Sequence, residues 1–240
     1  MLAATATIQA ADAPLVAAAS SLRFALQEIV DRYVAETGQP LKISFGSSGN
    51  LTRQIISGAP FQIFLSADED YVKKLEQREL VAESTVYAVG QLVLFVAAEA
   101  GVKADLADFI AAVGDGRINQ AVIANPDRAP YGRAAREVLR EAGLWEALQG
   151  RMVLGNNVSH AAQFLASGAV ETGFIAYSLA LSPELRAKGE FILLPGTERL
   201  LQAKMALLKE ASEEAAAFYR YLLEPIAQSI LQRHGFNTPQ

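Results

Sequence analysis

Four segments of this 240-residue chain repeat one arrangement: a short apolar run reaches a Ser, Gly or Asn and passes directly into an amphipathic helical pattern. The junctions are Ala19-Ser20-Ser21, Gly46-Ser47-Ser48-Gly49-Asn50, residues 125–132, and Gly155-Asn156-Asn157-Val158-Ser159. Strand-then-helix repeats leave few topologies open, because parallel strands need a crossover and a helix supplies it, burying the sheet between helices. The expected fold class is α/β. Each junction is also a helix N-terminus, where N–H groups lack acceptors and the dipole is positive. Several of them facing one cleft make an anion site without a lysine or arginine.

Along the chain the pattern reads as strand 15–18, a helix with Leu22, Leu26, Ile29, Val30, Tyr33 and Val34 on one face that stops at Gly38, and strand 41–45. The second junction leads into a helix over 51–57, then strand 63–65 and a helix N-capped by Asp68 that runs to about Glu79. The middle repeats the theme: strand 92–98, helix 106–113, strand 121–124, a helix carrying Ala135, Val138, Leu139 and Ala142, strand 152–154, helix 159–166 and strand 173–176. Strands over 191–194 and 205–208 and closing helices over 215–223 and 226–233 follow. Two α/β units predict two lobes with a cleft between them, each a mainly parallel sheet flanked by helices. Strands 92–98 and 205–208 are the expected crossings that form a hinge. The division is 14–95 with 201–240 for the first lobe and 96–200 for the second.

Composition removes several function classes. A net charge of −5 with scattered Lys and Arg argues against nucleic-acid binding, which needs a clustered basic face. No stretch approaches the roughly 18 consecutive apolar residues of a membrane span, so direct membrane insertion is not expected. With no cysteine there are no disulfides and no thiolate chemistry. The two histidines, His160 and His234, have no nucleophile pattern around them and form no metal set, so neither an enzyme nor a resident cofactor is expected. No nucleotide-binding glycine fingerprint is present. Residues 1–13 are small, mixed and aperiodic, the character of the tail of a secretory leader or of a disordered chain end.

At the junctions, a hydroxyl such as Ser20 or Ser21 ordinarily caps its own helix, but a cap needs one residue, which leaves the other hydroxyl free. In residues 125–132, Pro126 and Pro130 stiffen the loop, and Tyr131-Gly132 opens the next helix. The Val158 N–H is a further donor, beside Asn and Ser residues that read as caps.

These segments carry a resemblance to the molybdate-binding proteins of bacterial ABC importers, type II periplasmic binding proteins, over about residues 15–236. The matching stretches are Ala17-Ala18-Ala19-Ser20-Ser21, Phe45-Gly46-Ser47-Ser48-Gly49-Asn50-Leu51, the run 58–68, Ile123-Ala124-Asn125-Pro126 with Ala129-Pro130-Tyr131-Gly132, Asn157-Val158-Ser159, and Gly173-Phe174-Ile175-Ala176. The resemblance implies a two-lobed receptor that holds molybdate, and tungstate as well, through Ser20 or Ser21, Ser48, Tyr131 and Val158. It implies a periplasmic monomer, secreted with a cleaved leader, that delivers its anion to the transmembrane permease of an ABC importer. Tyr177 stands one position later than a tyrosine some members use, and Gln62 stands where an acidic residue is expected. A sulfate receptor is the nearest rival reading. The effector domain of a transcription regulator shares the architecture, but the stretch before Leu15 has no room for a helix-turn-helix segment.

Overall fold

The computed structural model describes residues 13–118 and 120–239, so the leader-like stretch lies, but for its last residue, outside the described residues. The chain builds β1 (Leu15–Ala19), a single 3-10 turn (Ser20–Leu22) continuing into α1 (Arg23–Thr37), β2 (Lys42–Gly46), α2 (Ser48–Ile56), β3 (Ile63–Leu65), α3 (Glu69–Glu76) and β4 (Val81–Val89). It then forms β5 (Leu92–Ala97), α4 (Leu106–Gly114), β6 (Ala121–Ala124), α5 (Pro130–Glu141), α6 (Trp145–Leu148), β7 (Met152–Gly155), α7 (Val158–Ala166), β8 (Thr172–Ala176), α8 (Tyr177–Ala180), α9 (Pro183–Arg186) and β9 (Gly189–Leu193). It returns through β10 (Gln202–Leu208), α10 (Glu213–Tyr221) and α11 (Pro225–Arg233).

Hydrogen bonding sorts the strands into two five-stranded sheets, ordered β2-β1-β3-β10-β4 and β7-β6-β8-β5-β9. In each, the strand that follows a crossing runs against its neighbours: β10 is antiparallel to β3 and β4, and β5 to β8 and β9. The remaining pairings, β1 with β2 and β3, and β6 with β7 and β8, are parallel. This is the expected two-lobed α/β architecture, but the sheets are mixed rather than mainly parallel, with two of the four pairings in each antiparallel. Parallel pairing has a direct consequence for function, because it brings the carboxyl ends of β1, β2 and β3 to one edge and those of β6, β7 and β8 to one edge of the other sheet.

Why β1 reads as an unbroken apolar run follows from burial on both faces. Val16 and Ala18 enter the core under α1, α10 and α11, while Ala17 enters the core under α2 and α3. The second lobe has its own core around β5, β6 and β8, with Phe95, Phe109 and Phe174 fully buried. Among the described residues no helix is long and apolar enough to cross a membrane.

Two departures from the sequence reading concern the hinge and the strand β4. The strands expected to cross, 92–98 and 205–208, each stay in one sheet, since β5 pairs along its length in the second and β10 in the first. A boundary at 95/96 would cut β5. The chain instead crosses at Gly90-Gln91 and again between Leu194 and Leu201, and the crossings lie side by side, with the Gly90 N–H donating to the Leu201 carbonyl at 2.8 Å. The other departure is β4, for which the reading over 81–89 contains no strand. It is an edge strand interrupted by the polar, partly solvent-facing Glu83, Ser84 and Thr85, so only Tyr87 to Val89 carry the buried signal.

Candidate functional site

All four junctions meet. Ser20, Ser21 and Ser48 from the first lobe and Tyr131 and Val158 from the second line one small cavity, with Ala19, Gly46, Ser47, Ala67, Ala129 and Pro130 filling the wall between them. No Lys, Arg, His, Asp or Glu lines the cavity.

The local structure sets each group in place. Ser47 N-caps α2 by accepting from the Asn50 N–H at 3.4 Å, which makes Ser48 the first residue of the helix, three positions ahead of the start read from sequence. Asn157 N-caps α7 in the same way through the His160 N–H at 2.9 Å, leaving Val158 first in that helix. The N–H groups of Ser48 and Val158 therefore have no acceptor within their helices. Pro130 occupies the first position of α5, where a missing N–H costs nothing, and so Tyr131 begins its donor face.

The hydroxyls are primed as donors because the protein uses their acceptor capacity. The Ser48 Oγ, fully buried, accepts from the Ala67 N–H at 3.1 Å, and the Ser20 Oγ accepts from the Ser159 N–H at 3.3 Å. The Tyr131 hydroxyl stands between the Ser21 hydroxyl and the Gln91 main-chain N–H. Burial pushes this phenol far above its usual range, and those two partners only partly offset the effect, so it stays neutral and keeps its proton. What results is a shell of neutral donors at the positive ends of helices, the complement of a guest that only accepts.

Sequence reasoning did not single out the groups that fix this shell. Gly90, at the first crossing, is one: a Cβ there would collide with the Tyr131 hydroxyl. Ser159 and Ser178 are others, joining the lobes as their hydroxyls donate to the carbonyls of Ser20 and Ser21, both at 2.8 Å. Asp68 caps α3 as expected, accepting from the Tyr71 N–H at 3.2 Å, but it also takes an ion pair from Arg133 on α5 of the other lobe. Arg133 reaches Asp70 at 3.5 Å as well. Burial first, and then the neighbouring Arg136, lower its pKa, yet a guanidinium remains charged at neutral pH. The signal for this pair was absent from the local pattern, since its partners lie 65 positions apart.

Tyr177 is not brought to the cavity. It follows β8 at the correct edge, but its ring packs edge-on against Phe191 with centroids 5.6 Å apart and lies beside Gly235, where it helps close the core. Gln62 is a structural tie, its side-chain carbonyl accepting from the Ser212 N–H at 2.8 Å, away from the cavity. His160 packs on Phe164 and accepts from the Asn156 N–H at 3.2 Å, so it too stays out of the shell.

Residues 14–237 match the family model described as bacterial extracellular solute-binding protein. The chain belongs to this family. The family resemblance read from the sequence is thus borne out, and the two-lobed fold with it. The chain is 35% identical to the molybdate-binding protein ModA of Rhodobacter capsulatus, across 95% of this chain and 90% of that protein. It is 34% identical to the molybdate-binding protein ModA of Azotobacter vinelandii, across 92% and 88%. The solved structure of the Azotobacter vinelandii periplasmic molybdate-binding protein superposes with a TM-score of 0.85 at 30% identity, covering 95% of this chain and all of that one.

Proposed function

We propose that this protein is the periplasmic receptor of an ABC importer: it captures molybdate in the cavity between its lobes and delivers it to the transmembrane permease. The observation that carries the reading is the cavity wall, in which donors from both lobes converge without a carboxylate or a cation. The relatives named for molybdate binding support the choice of anion. The guest is held by the hydroxyls of Ser20, Ser21, Ser48 and Tyr131 and by the N–H of Val158. Tungstate, with the same shape and charge, shares the site, and the receptor works as a monomer after removal of a leader.

The physical logic is specific. A fully ionised tetrahedral oxyanion presents only acceptors, so each wall group gains a bond and none is left facing another donor. A protonated phosphate would place a donor against this wall and find no acceptor there, which leaves a buried polar group unpaired. Asp68, the nearest carboxylate along the chain, is occupied by Arg133. Because contacts come from both lobes, the bound anion favours the closed arrangement over an open one, in proportion to its differential affinity for the two.

Calorimetric titration with molybdate, tungstate, sulfate and phosphate tests this directly. Tight one-to-one binding of the first two, with no binding of phosphate and at most weak binding of sulfate, is the expected result. Sulfate binding as tight as that of molybdate would move the assignment to a sulfate receptor, and binding of none of them would remove the reading altogether.

A further inference from the structure

Three clefts open along the seam between the lobes around the cavity, and their charges differ. The cleft past Asp68, about 970 Å³, balances four arginines (Arg133, Arg136, Arg140, Arg199) against Asp68, Glu69, Asp70 and Glu137. The cleft beside Ser159, about 470 Å³, balances Arg23 with Glu184. The remaining one, about 530 Å³, sets Arg53, Lys74, Arg78 and Arg128 against Asp127 alone. Moreover, among the described residues none of these four cations makes an ion pair. Arg53 donates to the Asn50 side-chain carbonyl, Lys74 lies 4.5 Å from the centre of the Tyr71 ring, and Arg78 donates to the Lys74 carbonyl at 3.2 Å. Asp127 is 80% exposed and its ion-pair partner is Arg136, 3.8 Å away.

This basic cleft adjoins the cavity on both lobes. Gly49 lines the cleft and Ser48 the cavity, while Arg128 lines the cleft and Ala129 the cavity. One contact stands between them: the Gly49 N–H donates to the Arg128 carbonyl at 2.9 Å, across the seam. The approach requires glycine, since a Cβ at position 49 would stand 2.7 Å from both that carbonyl and the Tyr71 hydroxyl. When the lobes part, this contact breaks, and cleft and cavity become one opening.

We infer that the basic cleft is the mouth of the cavity and that Arg53, Lys74, Arg78 and Arg128 form a capture site for the incoming dianion. The inference rests on the proposed function and adds the route of entry. The whole molecule carries a net charge of −5 and repels a dianion at long range. At physiological salt the screening length is about 8 Å, so the local charge at the mouth governs the last approach. A cleft lined by one sign of charge raises association rates by roughly 10- to 1,000-fold at low salt. Placing the cations at the mouth and neutral donors inside separates fast capture from tight holding. Charge at a rim alters association and its salt dependence more than it alters dissociation.

Stopped-flow mixing of the full chain with molybdate, followed by intrinsic fluorescence over a range of ionic strengths, tests this. The R53Q/K74Q/R78Q variant is expected to associate about tenfold more slowly at low salt, to dissociate at the wild-type rate, and to converge on wild type at high salt. The charge-keeping R53K/R78K variant should retain fast association, and matching thermal melts should show that all variants fold. Equal association rates with equal salt slopes in wild type and the triple variant would overturn the inference. Wild-type protein that fails to bind molybdate in calorimetry would instead overturn the proposed function, and the entry route with it.

Discussion

Inside the cavity every polar group is neutral, whereas the seam that closes over it is fastened by a full ion pair, Arg133 with Asp68, beside main-chain contacts from Gly49, Ser20 and Ser21. The two regions answer different demands. A dianion enclosed with formal cations would be held with large desolvation costs on both sides, while neutral donors already oriented by helix starts hold it without a buried counter-charge. The seam has no guest to release, only two rigid lobes to bring together, and there a charged pair that exists only on closure adds a contact that opening loses. On the proposed function, binding strength divides between donors that touch the anion and latches that never do.

Calorimetry on a few substitutions can break or sharpen that division. Ser48→Ala should have the largest effect, because it deletes a donor to a charged guest, worth up to about 3 kcal/mol. It also strips the buried Ala67 N–H of its acceptor, so the melting temperature should fall as well. An affinity within twofold of wild type would show that Ser48 is only a structural tie. Next, Arg133→Gln should weaken binding by about 2 kcal/mol, less than the ~3–5 kcal/mol of a fully buried broken pair because Arg133 is 29% exposed. Its loss should fall on the dissociation rate. If Arg133→Gln costs more than Ser48→Ala, the latch and not the donor shell dominates.

Gly90→Ala should cost about 1 kcal/mol of affinity by forcing the Tyr131 hydroxyl out of place, the lower end of what overpacking costs. Pairing it with Tyr131→Phe should give less than the sum of the two effects, since both act through one hydroxyl. Independent, additive losses would mean that Gly90 acts on the hinge itself. The smallest effect belongs to Tyr177→Phe, expected to leave affinity unchanged because that ring packs on Phe191 outside the cavity. A loss of tenfold or more would return Tyr177 to the site.

Much of this was legible in the chain itself. The βα alternation, the Asp68 cap and the stop at Gly38 follow from apolar periodicity and capping chemistry, which are local. The start of α2 was missed because Gly46-Ser47-Ser48-Gly49-Asn50 looks like an ordinary loop, and glycine inside a first helical turn makes sense only beside the Arg128 carbonyl. β4 was missed because an edge strand shows alternation only where one face is covered. Tyr177 was misleading in sequence because the strand before it ends at the correct edge, and only packing decides where its ring goes.

By itself the sequence determined the fold class, the two-lobed plan and the kind of group offered at each helix start, since strand and helix periods and N-caps depend on neighbours a few positions away. The tertiary structure alone decided how those groups are used. Ser20 meets Ser159 across 139 positions, Ser21 meets Ser178 across 157, and Gly90 makes room for Tyr131 at the hinge. Such contacts arise when two separately packed lobes dock as rigid bodies, and no local period encodes the register of that docking.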